Sequence, residues 1–210
     1  MIIAPIVKNI EKIISSFSVL SEVYAKPYLK VIKSEIDMAE IKSNDKVLSI
    51  GCGAVPFTAV YIAKLTGTKV VAIDSDKNAI NKAKKFVSDN KVDHLIDVKH
   101  INGANVKARD FTVAFVALQA RPKEQIILNL LKTTNNIKIV ARRPLKKLSN
   151  EYDMLPGSYN YENICFHNSM KTFDASVLYN SRSIFHNNEL TPQELPSEIT
   201  HRNKILTVHP

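Results

Sequence analysis

The stretch VLSIGCGAVPFTAVYIAKLTGTKVVAIDSD, from Val47 to Asp76, leaves few folds open to this chain. Val47 to Ile50 read as a buried strand of apolar or small residues, Gly51 and Gly53 stand at the turn behind it, and Pro56 falls where a helix can begin. Two glycines suit such a turn when the backbone must approach a ligand closely or take a positive φ, which a residue with a Cβ adopts only at a cost. The helix that follows would point unpaired N–H groups at that ligand. It carries apolar residues at Val55, Ala59, Ile62, Ala63 and Leu65, stops near Gly67, and is followed by Lys69 to Ile73 as a second, β-branched strand ended by Asp74. A carboxylate at that strand end is the group expected to accept hydrogen bonds from ribose hydroxyls in a nucleotide-binding βαβ unit. Gly51, Cys52, Gly53, Asp74 and Ser75 are therefore the expected cofactor contacts.

The same stretch bears on which nucleotide is bound. A dinucleotide fingerprint wants a third glycine where helix and strand touch, and here Pro56 stands in that place. This argues against a pyrophosphate. The other common user of a Gly-x-Gly turn with a strand-end carboxylate is S-adenosylmethionine in class I methyltransferase-like folds, and the stretch resembles that motif. A nicotinamide cofactor and a turn that binds nothing are the weaker alternatives.

The rest of the chain extends the unit into a doubly wound α/β sheet with N-terminal helices. Ile10 to Ile41 reads as two helices broken at Pro27. Lys77 to Ser88 reads as a helix with Ile80, Ala83, Phe86 and Val87 on one face, followed by a third strand over Leu95 to Ile101. In this fold class the loop after the third strand commonly meets the adenine, so Asn105 is read either as a cofactor contact or as a turn residue. Phe111 to Leu118 is a near-continuous apolar run, as in a central parallel strand, with Ala117 at the end that faces the site. A helix from Pro122 and a fifth strand over Ile137 to Ala141 complete the pattern. Beyond Arg143 the short strand candidates are Ala175 to Tyr179 and Ile205 to Val208, which suggest a closing antiparallel pair. The expected division is a helical segment over 1–42, a Rossmann-like cofactor domain over 43–180 and an extension over 181–210.

A chain of 210 residues with 45% hydrophobic content can fill the core of one such domain. The net charge of +9 raises nucleic acid as a partner. However, the lysines are spread along predicted helices, and only Arg142, Arg143, Lys146 and Lys147 form a local cluster. Two distant cysteines make neither a disulfide framework nor a metal site, and the six histidines show no ligating spacing. No window is long enough to span a bilayer. The expectation is a soluble, cytoplasmic protein acting on a small molecule, without membrane or metal, and with self-association left open.

The segments IGCGAVPFTAVYIA, VAIDSD, VAFVALQARPKEQIILNLL and IKIVARRP resemble the nicotianamine synthases. Pro56, Phe57 and Thr58 match the Pro-Leu-Thr of that family's first motif, and Ala117 and Leu118 match its Ala-Leu loop. Tyr28, Val31 and Glu35 match a Tyr-x-x-Leu-x-x-x-Glu helix. The likeness runs over roughly residues 24–180. It implies transfer of the aminocarboxypropyl group of S-adenosylmethionine onto an amine. Departures are Pro27 where the family has Asn, an altered segment after the fifth strand, and only 27 residues before Tyr28, where the family carries a helical domain that supplies an acidic active-site residue.

Tyr28 and Glu35 lie two helical turns apart and share a helix face, so Glu35 is a candidate base for the acceptor amine and Tyr28 its companion. The alternatives are a solvated Glu35, or one paired with Lys30 or Lys33, and a Tyr28 that only packs. Arg142 is a candidate for binding a substrate carboxylate bidentately, against the alternative of a surface basic cluster. Besides aminocarboxypropyl transfer, two further readings are a class I small-molecule methyltransferase and a noncatalytic S-adenosylmethionine-binding protein.

Overall fold

A computed structural model of the chain describes residues 18–157 and 159–182. Helix α1 (Ser18–Ala39) precedes β1 (Lys46–Ile50), α2 (Phe57–Thr66), β2 (Lys69–Asp74), α3 (Lys77–Asp89), β3 (Ile96–His100), β4 (Val113–Val116), α4 (Lys123–Thr133), β5 (Lys138–Pro144), β6 (Asn163–Phe166) and β7 (Phe173–Asn180). The strands form one seven-stranded sheet in the order β3-β2-β1-β4-β5-β7-β6. The first five strands run parallel, and β7 inserts antiparallel between β5 and β6. This is the doubly wound arrangement expected, with the strand order switching sides between β1 and β4.

Successive strand residues face opposite sides, and the two cores follow from that alternation. Val47, Val70, Ala72, Val113, Phe115 and Val140 point to the layer of α1, α2 and α3. Leu48, Ile50, Ile73, Ala114, Val116, Ile139 and Ala141 point to the layer of α4, with Ile126, Ile127, Leu130 and Leu131. Both faces are covered, so the central strands tolerate no polar alternation. No helix among the described residues is long and apolar enough to cross a membrane.

Two local expectations need correction, and one apolar residue stands outside the core. Helix α1 runs continuously through Pro27. A proline removes one backbone hydrogen bond and crowds the turn before it, which weakens a helix without obliging it to end. Val31, Ile32 and Ala39, all buried, hold the stretch that follows against the sheet. Leu65, although apolar, is 44% exposed, since it lies about 60° outside the helical arc that Ile62, Ala59, Ala63 and Val60 define. The antiparallel partner of β7 at the sheet edge is β6, whose four residues were not read as a strand. The other candidate, Ile205 to Val208, lies outside the described residues, as does the helical reading before Ser18.

Two contacts fix the loops at the C-terminal edge of the sheet. Gly103 opens the short 3-10 turn Gly103–Asn105 after β3, and a Cβ there would lie 2.5 Å from Cγ2 of Ile50. Lys123, at the start of α4, is fully buried. Its Nζ donates to the carbonyls of Leu118 at 2.8 Å and Asp153 at 3.0 Å, and its backbone N–H donates to Oδ2 of Asp153 at 3.1 Å. It thus ties the loop after β4 to the segment after β5. Burial pushes the Lys123 ammonium down from 10.5 to about 8, against the opposing charge of Asp153. A neutral amine keeps two N–H donors, enough for both carbonyls.

Gly103→Ala should destabilise the fold by about 1–3 kcal/mol through overpacking against Ile50, read as a lower midpoint in urea. Lys123 gives a pH signature. The unfolded chain holds that proton up to about 10.5, whereas the folded chain sheds it near 8, so between these values the unfolded state binds more protons and the residue's contribution to stability rises with pH. The stability gap between the wild type and Lys123→Met should widen from pH 8 to pH 10. A flat gap would mean that Lys123 keeps its proton throughout.

Candidate active site

The turn after β1 is drawn down onto the end of β2. Gly51 and Gly53 have φ of +75° and +64°, and the N–H groups of Gly51 and Cys52 both donate to the carbonyl of Ile73, at 2.9 and 3.0 Å. Asp74, half-buried at the end of β2, then receives two backbone N–H groups, from Gly53 on Oδ2 at 2.8 Å and from Asp76 on Oδ1 at 2.9 Å. Each carboxylate oxygen therefore has one lone pair fixed by the backbone and further capacity for a ligand hydroxyl. A Cβ on Gly51 would come within 3.1 Å of the Ala120 Cβ, so the turn and the loop after β4 approach closely here. Gln119 spans the same gap, donating from Nε2 to the Gly51 carbonyl at 3.1 Å.

The expected cofactor residues converge on one edge of the sheet. Gly51, Cys52, Gly53, Asp74, Ser75, Asn105 and Ala117 follow or end β1, β2, β3 and β4. Cys52 is buried, Ser75 and Asn105 are exposed, and the backbone N–H of Ala117 donates to the Ile50 carbonyl at 3.1 Å. The turn that carries Asn105 is capped by Asn102, whose Oδ1 accepts from the Ala104 N–H at 2.9 Å. Sequence reading missed Gln119 and Asn102. Both were legible only as polar residues in loops, a signal shared with many that do nothing.

A second constellation lies under α1. Glu35, fully buried, accepts from Arg142 Nε at 2.8 Å and Arg142 Nη2 at 2.9 Å, and Nη2 also reaches Thr58 Oγ1 at 3.1 Å. The guanidinium stacks over Phe173 at 5.4 Å from the ring centroid, and the Tyr28 ring packs on the same phenylalanine at 6.5 Å. Ser176 donates to Glu35 Oε1 at 2.6 Å, and His167 Nε2 lies 2.9 Å from Ser176 Oγ. Although burial works against the cation, the charge of Glu35 and its hydrogen bonds hold Arg142 above its ordinary value. Burial pushes the Cys165 thiol up to about 11, keeping it protonated.

Glu35 and Arg142, expected to serve a ligand separately, are thus brought together. Glu35 is neither solvated nor paired with Lys30 or Lys33. Arg142 is 7% exposed and not part of a surface patch. Arg143 is engaged by Asp174, at 2.9 and 3.0 Å, so the basic cluster leaves only Lys146 and Lys147 outward. Tyr28 sits half-buried at the margin of this group. Thr58, Phe173, Ser176 and His167 were missed because they meet Glu35 or Arg142 only through the tertiary fold, Ser176 across 141 positions of sequence.

Comparison with known proteins places this edge in context. A family model described as "Nicotianamine synthase protein" matches residues 7–154. The L-histidine 2-aminobutanoyltransferase of Pseudomonas aeruginosa (strain UCBPP-PA14) is 24% identical over 139 residues, 66% of this chain and 50% of that protein. The chain therefore spans about half the length of the curated relatives it matches. Among solved structures, MtNAS in complex with MTA and tNA superposes with a TM-score of 0.69 at 18% identity, covering 80% of this chain and 67% of that one. An MtNAS mutant in complex with S-adenosylmethionine gives 0.67 at 20% identity, covering 77% and 64%. An RNA methyltransferase from Salinibacter ruber with S-adenosyl-L-homocysteine gives 0.61 at 16% identity, covering 82% and 97%. These structural likenesses carry the fold, that of class I methyltransferases, and the family match carries the assignment: this chain belongs to the nicotianamine synthase family.

Proposed function

We propose that this chain is a transferase that binds S-adenosylmethionine at the Gly51–Asp74 edge and passes its aminocarboxypropyl group to the amine of an amino-acid-like acceptor. The observation that carries this reading is the carboxylate of Asp74, fixed by two backbone N–H groups at the mouth of a positive-φ glycine turn. It has the capacity a ribose diol needs. Membership of the family and the 2-aminobutanoyl transfer in the relative's name support the group transferred. Bound S-adenosylmethionine would supply an electrophilic carbon beside its sulfonium, with methylthioadenosine as the leaving product when an amine takes the aminocarboxypropyl group. Gly51, Cys52 and Gly53 line its approach, Ser75 and Asn105 flank the nucleoside, and Ala117 closes the opposite wall. The setting is cytoplasmic and reducing, in keeping with two free cysteines.

The chain's remaining work is to position the acceptor and remove its proton. In this reading Arg142, Glu35 and Tyr28 act as a unit. The acceptor's carboxylate exchanges with Glu35 on the Arg142 guanidinium, which binds such groups bidentately. Glu35, relieved of its cation, takes the proton of the attacking amine, while Tyr28 orients it.

Calorimetry should show binding of S-adenosylmethionine, weakened by about 1–3 kcal/mol in Asp74→Ala. Unchanged affinity, or tight binding of NAD alone, would defeat the cofactor assignment. With L-histidine as the first acceptor, mass spectrometry should detect methylthioadenosine. A product of S-adenosylhomocysteine alone would mean methyl transfer. Glu35→Gln should slow turnover by about 10²–10⁴, but it also leaves Arg142 buried without its anion, so the discriminating variant is Glu35→Gln with Arg142→Leu. A neutral pair of this kind is commonly tolerated by the fold. It should stay folded and inactive, and recovered turnover would reduce the pair to a structural role.

A further inference from the structure

The hydrogen-bond chain behind Glu35 has a fixed direction. Glu35 faces a guanidinium and is an acceptor only, so the hydroxyl proton of Ser176 must go to Oε1. The Ser176 oxygen then has only lone pairs to offer His167, and His167 must donate from Nε2. The network therefore places a proton on Nε2, which in the neutral ring is the Nε2–H tautomer. His167, Ser176 and Glu35 are 6%, 0% and 0% exposed, and they come from just past β6, from β7 and from α1. The imidazole also stands edge-on to Phe173, at 5.5 Å, so the phenylalanine under Arg142 also fixes the ring that steers Glu35. His167 also borders a groove of about 270 Å³, with Lys30, Ser34, Phe166 and Asn168.

We propose that His167 and Ser176 are positioning residues that hold the Glu35 carboxylate in register for proton transfer. The proposal rests on the reading in which Glu35 receives the acceptor's proton. When that carboxylate leaves Arg142, the Ser176 hydroxyl is the one remaining bond among those described that keeps Oε1 from rotating away. The Cys165 thiol, 3.7 Å from Nε2, is too weak an acceptor to compete for the imidazole proton. The charges around the ring are Glu35, Arg142 and Asp174, with Lys30 across the groove, and burial holds His167 below its ordinary value. The ring is therefore neutral at pH 7 and available as a donor of fixed sense.

Two measurements test this on the full chain. Nitrogen-15 NMR of labelled protein at pH 7 should show His167 as the Nε2–H tautomer, whatever the enzyme's reaction. An Nδ1–H tautomer would overturn the proposal even if transferase activity is confirmed. In assays with S-adenosylmethionine and L-histidine, Ser176→Ala and His167→Leu should each lower kcat about tenfold, the scale of one lost positioning bond, with KM for S-adenosylmethionine unchanged. His167→Gln, whose amide offers a donor in place of Nε2, should restore most of the loss. Wild-type kcat in Ser176→Ala, or losses that follow thermal stability and are not restored by glutamine, would overturn it. If no turnover is found with histidine, the transferase reading is what fails there, and the tautomer still decides the geometry.

Discussion

The ion pair of Glu35 and Arg142 joins the helical layer to the sheet at the edge where the glycine turn lies. Taking both charges out of water is expensive, and the mutual attraction recovers that cost only if the geometry is good and the remaining lone pairs and protons are satisfied. Here the bond is bidentate, and Thr58 from α2, Ser176 from β7 and the face of Phe173 complete the shell. The pair is thus a weak source of net stability and a strong source of register. It commits α1, α2, β5 and β7 to one mutual arrangement, because any shift leaves a buried charge uncompensated.

The sheet order gives that arrangement its purpose. Placing β4 and β5 beside β1 brings Arg142 within two strand spacings of the glycine turn, or about 10 Å across the sheet. The antiparallel insertion of β7 then carries Ser176 and Phe173 to the far side of the same arginine. Lys123 works in the other layer, holding the loop after β4 through backbone carbonyls. The edge that carries the glycine turn is consequently supported from both faces of the sheet by buried cations, one paired with a carboxylate and one with carbonyls.

What was legible in the sequence follows from which signals are local. The alternation from strand to turn to helix to strand between Val47 and Asp74 is written in adjacent residues, so β1, α2, β2 and the glycine turn emerge directly. The same holds for the apolar run that becomes β4. The partners of Glu35 and Arg142 were not legible, since pairing across β5, β7 and α1 depends on tertiary closure that no periodicity encodes. Lys123 shows the same limit. A lysine at a helix start reads as solvated, and only the folding of the 151–153 segment over it makes it a buried donor. Strand β6, four residues with mixed exposure, carries too little pattern to announce itself.

The grip of the Gly53 and Asp76 amides on Asp74 has a thermodynamic consequence of its own. A flexible carboxylate must surrender rotamer freedom when it captures a ligand, whereas this one has already lost it during folding. The receptor is stiff at this end before anything arrives. In the proposed function, where Asp74 meets the ribose, recognition should then be a matter of geometric match, selecting against sugars whose hydroxyl spacing differs, with little tolerance gained from side-chain adjustment.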